Sequence, residues 1–492
     1  MSNIVCERVI RFYMQRKSLL KNYIYNTAYQ LLVMLTPLIT TPYISRTLGA
    51  ENIGIYSFSS SIVSYFTLFA TLGTTVYGQR EISYLQDDRE RRTVTFWNLE
   101  AFSCINTLLW LFLYGLYVWF ICDNIIIYSI LAMNVIAVAF DVTWLFQGME
   151  EFGRITFRNA LFKILNIVYV FAFVRSEGDL QIYILGMCLL PLLSILSLWG
   201  ELGKLVDRPN WKRIRPFTKF KEILLMFVPF VAISIYTVLD RTMLGLFTET
   251  KLENGYYEQA IKLSKTVLTL VTALGTVMMP RIGYYYERKE TDTVREYMYN
   301  SYRFVWFIGI PLCFGLIGLS ANLVPWYYGA GYDKVVPLLS ILSLLILAIG
   351  ISNVTGIQYL VAIKRQNTFT FTVTVGAVVN FVLNIVLIPI WYSIGAAIAS
   401  VFAETIVAFL QIFMIRNEIS PRIILSCGRH YWIAGLTMLG FLYGLGNWLT
   451  PSVFHSIAMM ICGGVWYIVC LLFMKDAFLL DQLRKILHRI VL

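Results

Sequence analysis

Four cations in this chain stand where they could act on an anion: Arg46, Arg241, Lys262 and Lys265. Arg46 closes an apolar run and Arg241 closes another, while Lys262 and Lys265 are three residues apart and so share one face of a helix. A cation exposed to lipid at the bilayer centre costs at least about 2.5–3.5 kcal/mol, so cations inside spans face a bundle interior or a wet cavity. The competing reading is that they snorkel to the outer headgroups. Arg46 and Arg241 also hold matching places in an internal repeat. The stretch TPLITTPYISRTLGAENIGIYSFSSSIVSYFTLFATLGTTVYGQR (36–80) is echoed by LDRTMLGLFTETKLENGYYEQAIKLSKTVLTLVTALGTVMMPR (239–281), which aligns Gly73 with Gly275. Together the four side chains predict a cationic chamber between two matched halves.

The acids inside apolar runs are fewer. Asp141 and Glu404 are candidates for ion or proton coupling, or equally for structural hydrogen bonding. Asp240, next to Arg241, offsets local positive charge, and Glu100 and Glu201 fall near inner ends of spans. Arg80 and Arg281 follow the two LGT copies at the inner surface, where they anchor helix ends or receive anionic headgroups. Pro37, Pro42, Pro229 and Pro311 interrupt backbone hydrogen bonding and mark candidate bends.

The elements that must position these groups are membrane helices. Of 492 residues, 58% are hydrophobic and 14% charged, and the mean hydropathy is +0.67. That excludes a water-soluble particle, and apolar runs of about 20 residues are those that helices cross a membrane with. We expect an all-α polytopic protein with about fourteen spans. The weakest separations are SEGDL between the fifth and sixth and a turn at Pro389 between the eleventh and twelfth. Eight cysteines without CxxC pairing and three scattered histidines predict no metal site, and the absence of GxxxxGK[ST] predicts no nucleotide; no cofactor is expected.

The net charge of +11 comes from basic residues set between apolar runs, so it reads as topology rather than nucleic-acid binding. Most of the 40 Lys and Arg residues fall on one set of alternating loops. The exceptions are Arg46, Arg175, Arg241, Lys251, Lys262, Lys265 and Lys334. Arg154, Arg158 and Lys163 are assigned to the inner loop after the fourth span. Both termini are therefore expected in the cytoplasm. The organisation is a basic leader (1–22), a six-helix bundle (23–203), a basic connector (204–222), a second six-helix bundle (223–415), and two further helices with a tail (416–492). An even number of spans per half makes the repeats parallel. A further echo sets DVTWLFQGM at Asp141 against NVTGIQYLV at Asn353.

The TPYxSRxLG and LGTxxYGxRE patterns, within TPYISRTLGAENIGIYSFSSSIVSYFTLFATLGTTVYGQREI, resemble polysaccharide-biosynthesis flippases of the Wzx type in the multidrug/oligosaccharidyl-lipid/polysaccharide exporter superfamily. The resemblance implies two six-helix bundles forming a V, two extra C-terminal helices, and movement of undecaprenyl-diphosphate-linked oligosaccharide to the outer leaflet of a bacterial cytoplasmic membrane. It implies a substrate held by Arg46 and Arg241, with Lys262 and Lys265 extending the patch. Membrane lipids, a polymerase and other surface-polysaccharide assembly proteins are the expected partners, and no enzyme activity is expected. The chain departs from multidrug members in having no acid in the body of its first helix. A cation-coupled small-molecule antiporter and a membrane polysaccharide polymerase or ligase are the rival readings.

Overall fold

In a computed structural model the chain is described over residues 2–481 and 484, with side chains described from residue 29 onward except at 228–230, 232, 233, 235, 236 and 276. The side chains of the basic leader and of Pro229, and the last residues of the tail, lie outside the described residues. The helices are α1 (Ser2–Thr71), α2 (Thr74–Tyr84), α3 (Arg89–Phe120), α4 (Ile125–Phe140), α5 (Thr143–Gly148), α6 (Phe152–Phe173), α7 (Leu180–Ser197) and α8 (Phe220–Phe247). They continue with α9 (Leu252–Glu287), α10 (Thr291–Tyr328), α11 (Val335–Leu342), α12 (Leu345–Ser352), α13 (Gln366–Trp391), α14 (Ser393–Met414), α15 (Pro421–Gly446) and α16 (Val453–Phe473).

Among the described residues eleven helical segments are long and apolar enough to cross a membrane. The first of them, Tyr29–Tyr84, has 56 residues, enough for two crossings, and α8 and α15 are long enough for one each. Taken that way, the fold agrees with the expected fourteen spans. The bend in α1 is at Gly49, whose φ of 76° and ψ of 168° lie outside the helical region. Only glycine adopts such a φ without steric cost. The prolines Pro37 and Pro42 sit within the helix instead, where Thr36 Oγ1 donates to Leu32 O at 2.7 Å and Thr40 Oγ1 to Thr36 O at 2.9 Å.

The chain divides into two compact units, Met1–Leu48 with Phe58–Val238, and Gly49–Ser57 with Leu239–Leu492. In the first, Phe96, Trp144, Phe146, Ile82 and Ile223 form part of a buried cluster. The basic connector is docked on that cluster by backbone capture rather than left as free chain. Buried Arg92 donates through Nε and Nη2 to Leu205 O at 3.0 and 2.8 Å, and through Nη1 to Gln86 O at 2.6 Å. Trp97 Nε1 donates to Asp207 O at 2.9 Å, and Arg215 N to Asn98 Oδ1 at 2.6 Å.

In the second unit α10 is the central helix, packed by α9, α15 and α16. The last two helices thus share its core: Trp306 Nε1 donates to Ile424 O at 3.1 Å, and a Cβ on Gly435 would lie 2.3 Å from Ile310 Cγ2. The closest backbone approach joins the segment after the α1 bend to the start of α9. A Cβ on Gly54 would stand 1.7 Å from Lys251 O, and one on Gly255 would stand 1.8 Å from Ala50 O. Only glycine fits on either side of that crossing.

The repeat read from the sequence holds in part. Asp141 and Asn353 both mark interruptions of regular helix: the first ends α4, and the second opens a run of wide i→i+5 turns over Asn353–Val361. The LGT copies differ. Gly73 breaks the chain between α1 and α2 with φ 76°, whereas Gly275 is a buried residue inside α9 against Asn353.

Candidate functional site

Where α8 ends, Arg241 projects beside α9, and its Nε contacts Glu258 Oε2 at 2.8 Å. The same oxygen accepts from Ser57 Oγ at 2.9 Å, so the short segment after the α1 bend contributes to this site. Lys262 and Lys265 lie one and two turns further along α9 and both act electrostatically on Glu258. Lys265 also interacts with Arg241, Asp240 and Glu404. It is exposed, while Lys262 is half-buried. Arg241 and Glu258 side chains keep 29% and 20% of their surface, so the pair is partly open to solvent rather than sealed in the core.

The helix that carries the two lysines starts earlier than the sequence reading put it. Because α9 begins at Leu252 rather than near residue 258, Lys262 and Lys265 are about 15 and 20 Å along the helix at a rise of about 1.5 Å per residue. Glu258 is the residue that sequence reasoning missed. It reads as part of the polar turn before the span, and its one available signal was the i, i+4 spacing to Lys262.

Asp240 has a role different from offsetting its neighbour's charge. It is buried and accepts from Asn380 Nδ2 at 3.0 Å, Asn384 Nδ2 at 2.7 Å and Tyr257 Oη at 2.6 Å, and from Ser400 Oγ. Four neutral donors from α9, α13 and α14 therefore satisfy a carboxylate inside the bundle, which ties those helices together at the base of the cluster. Nearby, Glu253 receives Lys334 Nζ at 2.5 Å and Ser393 N at 3.2 Å, joining the first turns of α9 and α14.

Of the other residues singled out in the sequence, Arg46 is exposed on α1 in the first unit. Arg80 pairs with Glu81 at 3.0 Å and stacks over the Tyr77 ring at 5.2 Å, a local anchoring arrangement. Arg281 is exposed on α9. Asp141 terminates α4 and accepts from Thr143 N and Oγ1 at 2.9 and 2.6 Å through Oδ1, which caps the start of α5. Glu404 is half-buried on α14 and belongs to the electrostatic neighbourhood of Lys265.

The fold is that of a multi-pass membrane protein, and its architecture resembles that of solved transporters and flippases. The chain aligns with the lipid II flippase MurJ in its inward closed conformation at a TM-score of 0.75, with 17% identity, covering 93% of this chain and all of that one. It aligns with an inward-facing multidrug resistance MATE family transporter at a TM-score of 0.61, with 13% identity over 80% of this chain and 95% of the other. The model of the polysaccharide biosynthesis protein family matches residues 19–286, and the chain belongs to that family. Among similar proteins, a candidate O-antigen transporter of Escherichia coli (strain K12) is 28% identical over 425 residues, 82% of this chain and 97% of that protein. A candidate low-salt glycan biosynthesis flippase of Haloferax volcanii, Agl15, is 20% identical over 300 residues, 61% of this chain and 62% of that one.

Proposed function

We propose that this protein is a polysaccharide flippase that carries a lipid-diphosphate-linked oligosaccharide from the inner to the outer leaflet of a bacterial cytoplasmic membrane, with both termini in the cytoplasm. Family membership and the named relatives support the polysaccharide class. The observation that supports the substrate chemistry is the cluster of Arg241, Lys262 and Lys265 about Glu258 where α8 meets α9, with Lys265 exposed. A diphosphate and its sugars cannot dissolve in hydrocarbon, whereas a polyprenyl tail has no need to leave it. Cations along the crossing lower the barrier for the headgroup. Where the cell interior is negative, moving two negative charges outward gains roughly 4.6 kcal/mol per 100 mV, from about 2.3 per charge. No covalent step and no cofactor are required. Undecaprenyl is the tail this reading assigns, and a polymerase acting on the delivered unit is the partner.

The test is transfer of a defined polyprenyl-diphosphate oligosaccharide in proteoliposomes under an imposed potential. Arg241→Ala, Lys265→Ala and Arg46→Ala are each expected to slow transfer about tenfold or more, the loss of one charged contact. Unchanged transfer in all three, with folded protein, overturns the reading. Transfer that is equally fast for a neutral glycolipid and insensitive to potential assigns the chain a different substrate.

A further inference from the structure

A second polar interior lies within the first unit, and the proposed function does not use it. It is a cavity of about 340 Å³ bounded by Tyr29 of α1, the α4–α5 break, α6 and α7. Arg158 and Lys163 face it from α6. The sequence assigns both to an inner loop as topology-setting charge. The structure corrects this: α6 begins at Phe152, which puts Arg158 about 9 Å and Lys163 about 16 Å along a membrane helix at about 1.5 Å per residue.

Their surroundings leave hydrogen-bond donors unmatched. Arg158 is 9% exposed, and its Nη2 donates to the neighbouring Asn159 Oδ1 at 2.8 Å. Its Nε and Nη1 are buried with no hydrogen-bond partner. Among the described residues Lys163 makes no hydrogen bond or ion pair. The one acid lining the cavity, Asp141, directs Oδ1 to Thr143; it acts electrostatically on Arg158 but makes no ion pair with either cation within 4 Å. Glu100 interacts electrostatically with Asp141 but does not line the cavity.

A buried guanidinium with unpaired donors is costly, and proteins keep such groups where a ligand completes them. The space suits more than a carboxylate or a single water, whose share of liquid volume is about 30 Å³. Asn159, Asn166 and Thr143 add neutral polar groups, while Phe162, Met187 and Pro191 give an apolar wall for the organic part of an ester. We propose that this cavity is a binding site for a phosphate group, held by Arg158 and Lys163. The phosphate comes from an anionic lipid headgroup or from free phosphate.

The experiment uses the full chain, purified in neutral detergent, with thermal unfolding and phosphorus NMR as readouts. The probes are inorganic phosphate, short-chain phosphatidylglycerol, and short-chain diacylglycerol as the phosphate-free control. Stabilisation by phosphatidylglycerol alone identifies a headgroup; stabilisation by both phosphate probes identifies the phosphate itself. Arg158→Gln is expected to fold, because it removes an unpaired charge, and to raise the half-saturating concentration roughly tenfold or more. Lys163→Gln, at a less enclosed position, is expected to do the same and decides the matter if the first variant is unstable. A wild-type protein that neither phosphate probe stabilises, equal stabilisation by diacylglycerol, or binding that survives in Lys163→Gln and any folded Arg158→Gln overturns the site.

Discussion

Glu258 is the counterweight of the α9 cluster, and replacing it with Gln separates its structural from its transport role. The wild-type carboxylate accepts from Ser57 at 2.9 Å and from Arg241 at 2.8 Å, with Lys262 and Lys265 within electrostatic reach. Glu258→Gln keeps the shape but removes the carboxylate on which Arg241, Lys262 and Lys265 all act. A hydrogen bond to a charged group contributes about 1.5–3 kcal/mol. Because a fifth to a third of each partner's surface is open, solvent screening places the expected loss near the lower end, about 1–2 kcal/mol, rather than the 3–5 of a fully buried pair. A double-mutant cycle with Arg241→Gln is expected to show coupling of about 1 kcal/mol. The sign reverses once substrate is bound, because an anionic headgroup supplies the charge that Glu258 no longer does. Glu258→Gln should therefore gain more thermal stability from lipid-diphosphate ligand than wild type does. In proteoliposomes it should reach half-maximal transfer at lower substrate and run slower at saturation, since release becomes harder. Thermal unfolding with and without ligand, followed by the transfer assay across substrate concentrations, reads all three. Unchanged stability together with an unchanged concentration dependence would refute the assignment of Glu258 as internal counter-charge.

Asp240→Ala removes the acceptor for Asn380, Asn384, Tyr257 and Ser400, and the buried donors left behind should cost about 3 kcal/mol or more, read as a lowered unfolding temperature in detergent. Gly255→Ala and Gly54→Ala each place a methyl within 2 Å of a carbonyl oxygen, so α1 and α9 must separate; a loss of about 1–3 kcal/mol is expected, and a variant as stable as wild type would contradict the crossing. Arg92→Ala should free the connector without unfolding the rest, giving faster tryptic cleavage at Lys212 and Arg213 than in wild type.

Much of the fold was legible because membrane helices announce themselves by run length. The echo of Asp141 with Asn353 fell on two positions where regular α-helix is interrupted. Charge near a span boundary was harder. Earlier helix starts turned Arg158 and Lys163 from loop charge into groups on a helix and set Lys262 and Lys265 further along α9. Asp240 could not be interpreted from its sequence neighbour Arg241. Three of its four partners, Asn380, Asn384 and Ser400, arrive from 140 to 160 positions away, and no local spacing encodes them. Glu258 was hidden for the opposite reason: it sits in a stretch whose polarity already had an explanation as a turn.

The nine residues from Gly49 to Ser57 are grouped with the later unit although they follow the opening helix of the earlier one. Severing the chain at the connector thus yields two fragments, neither of which owns a whole unit, and the Ser57 hydroxyl that Glu258 requires travels on the wrong piece. Hybrids that swap halves between relatives inherit the same difficulty. Such an exchange would pair Gly54 from one parent with Gly255 from the other, so compatibility at that glycine crossing, more than at the visible seam, decides whether halves can be exchanged.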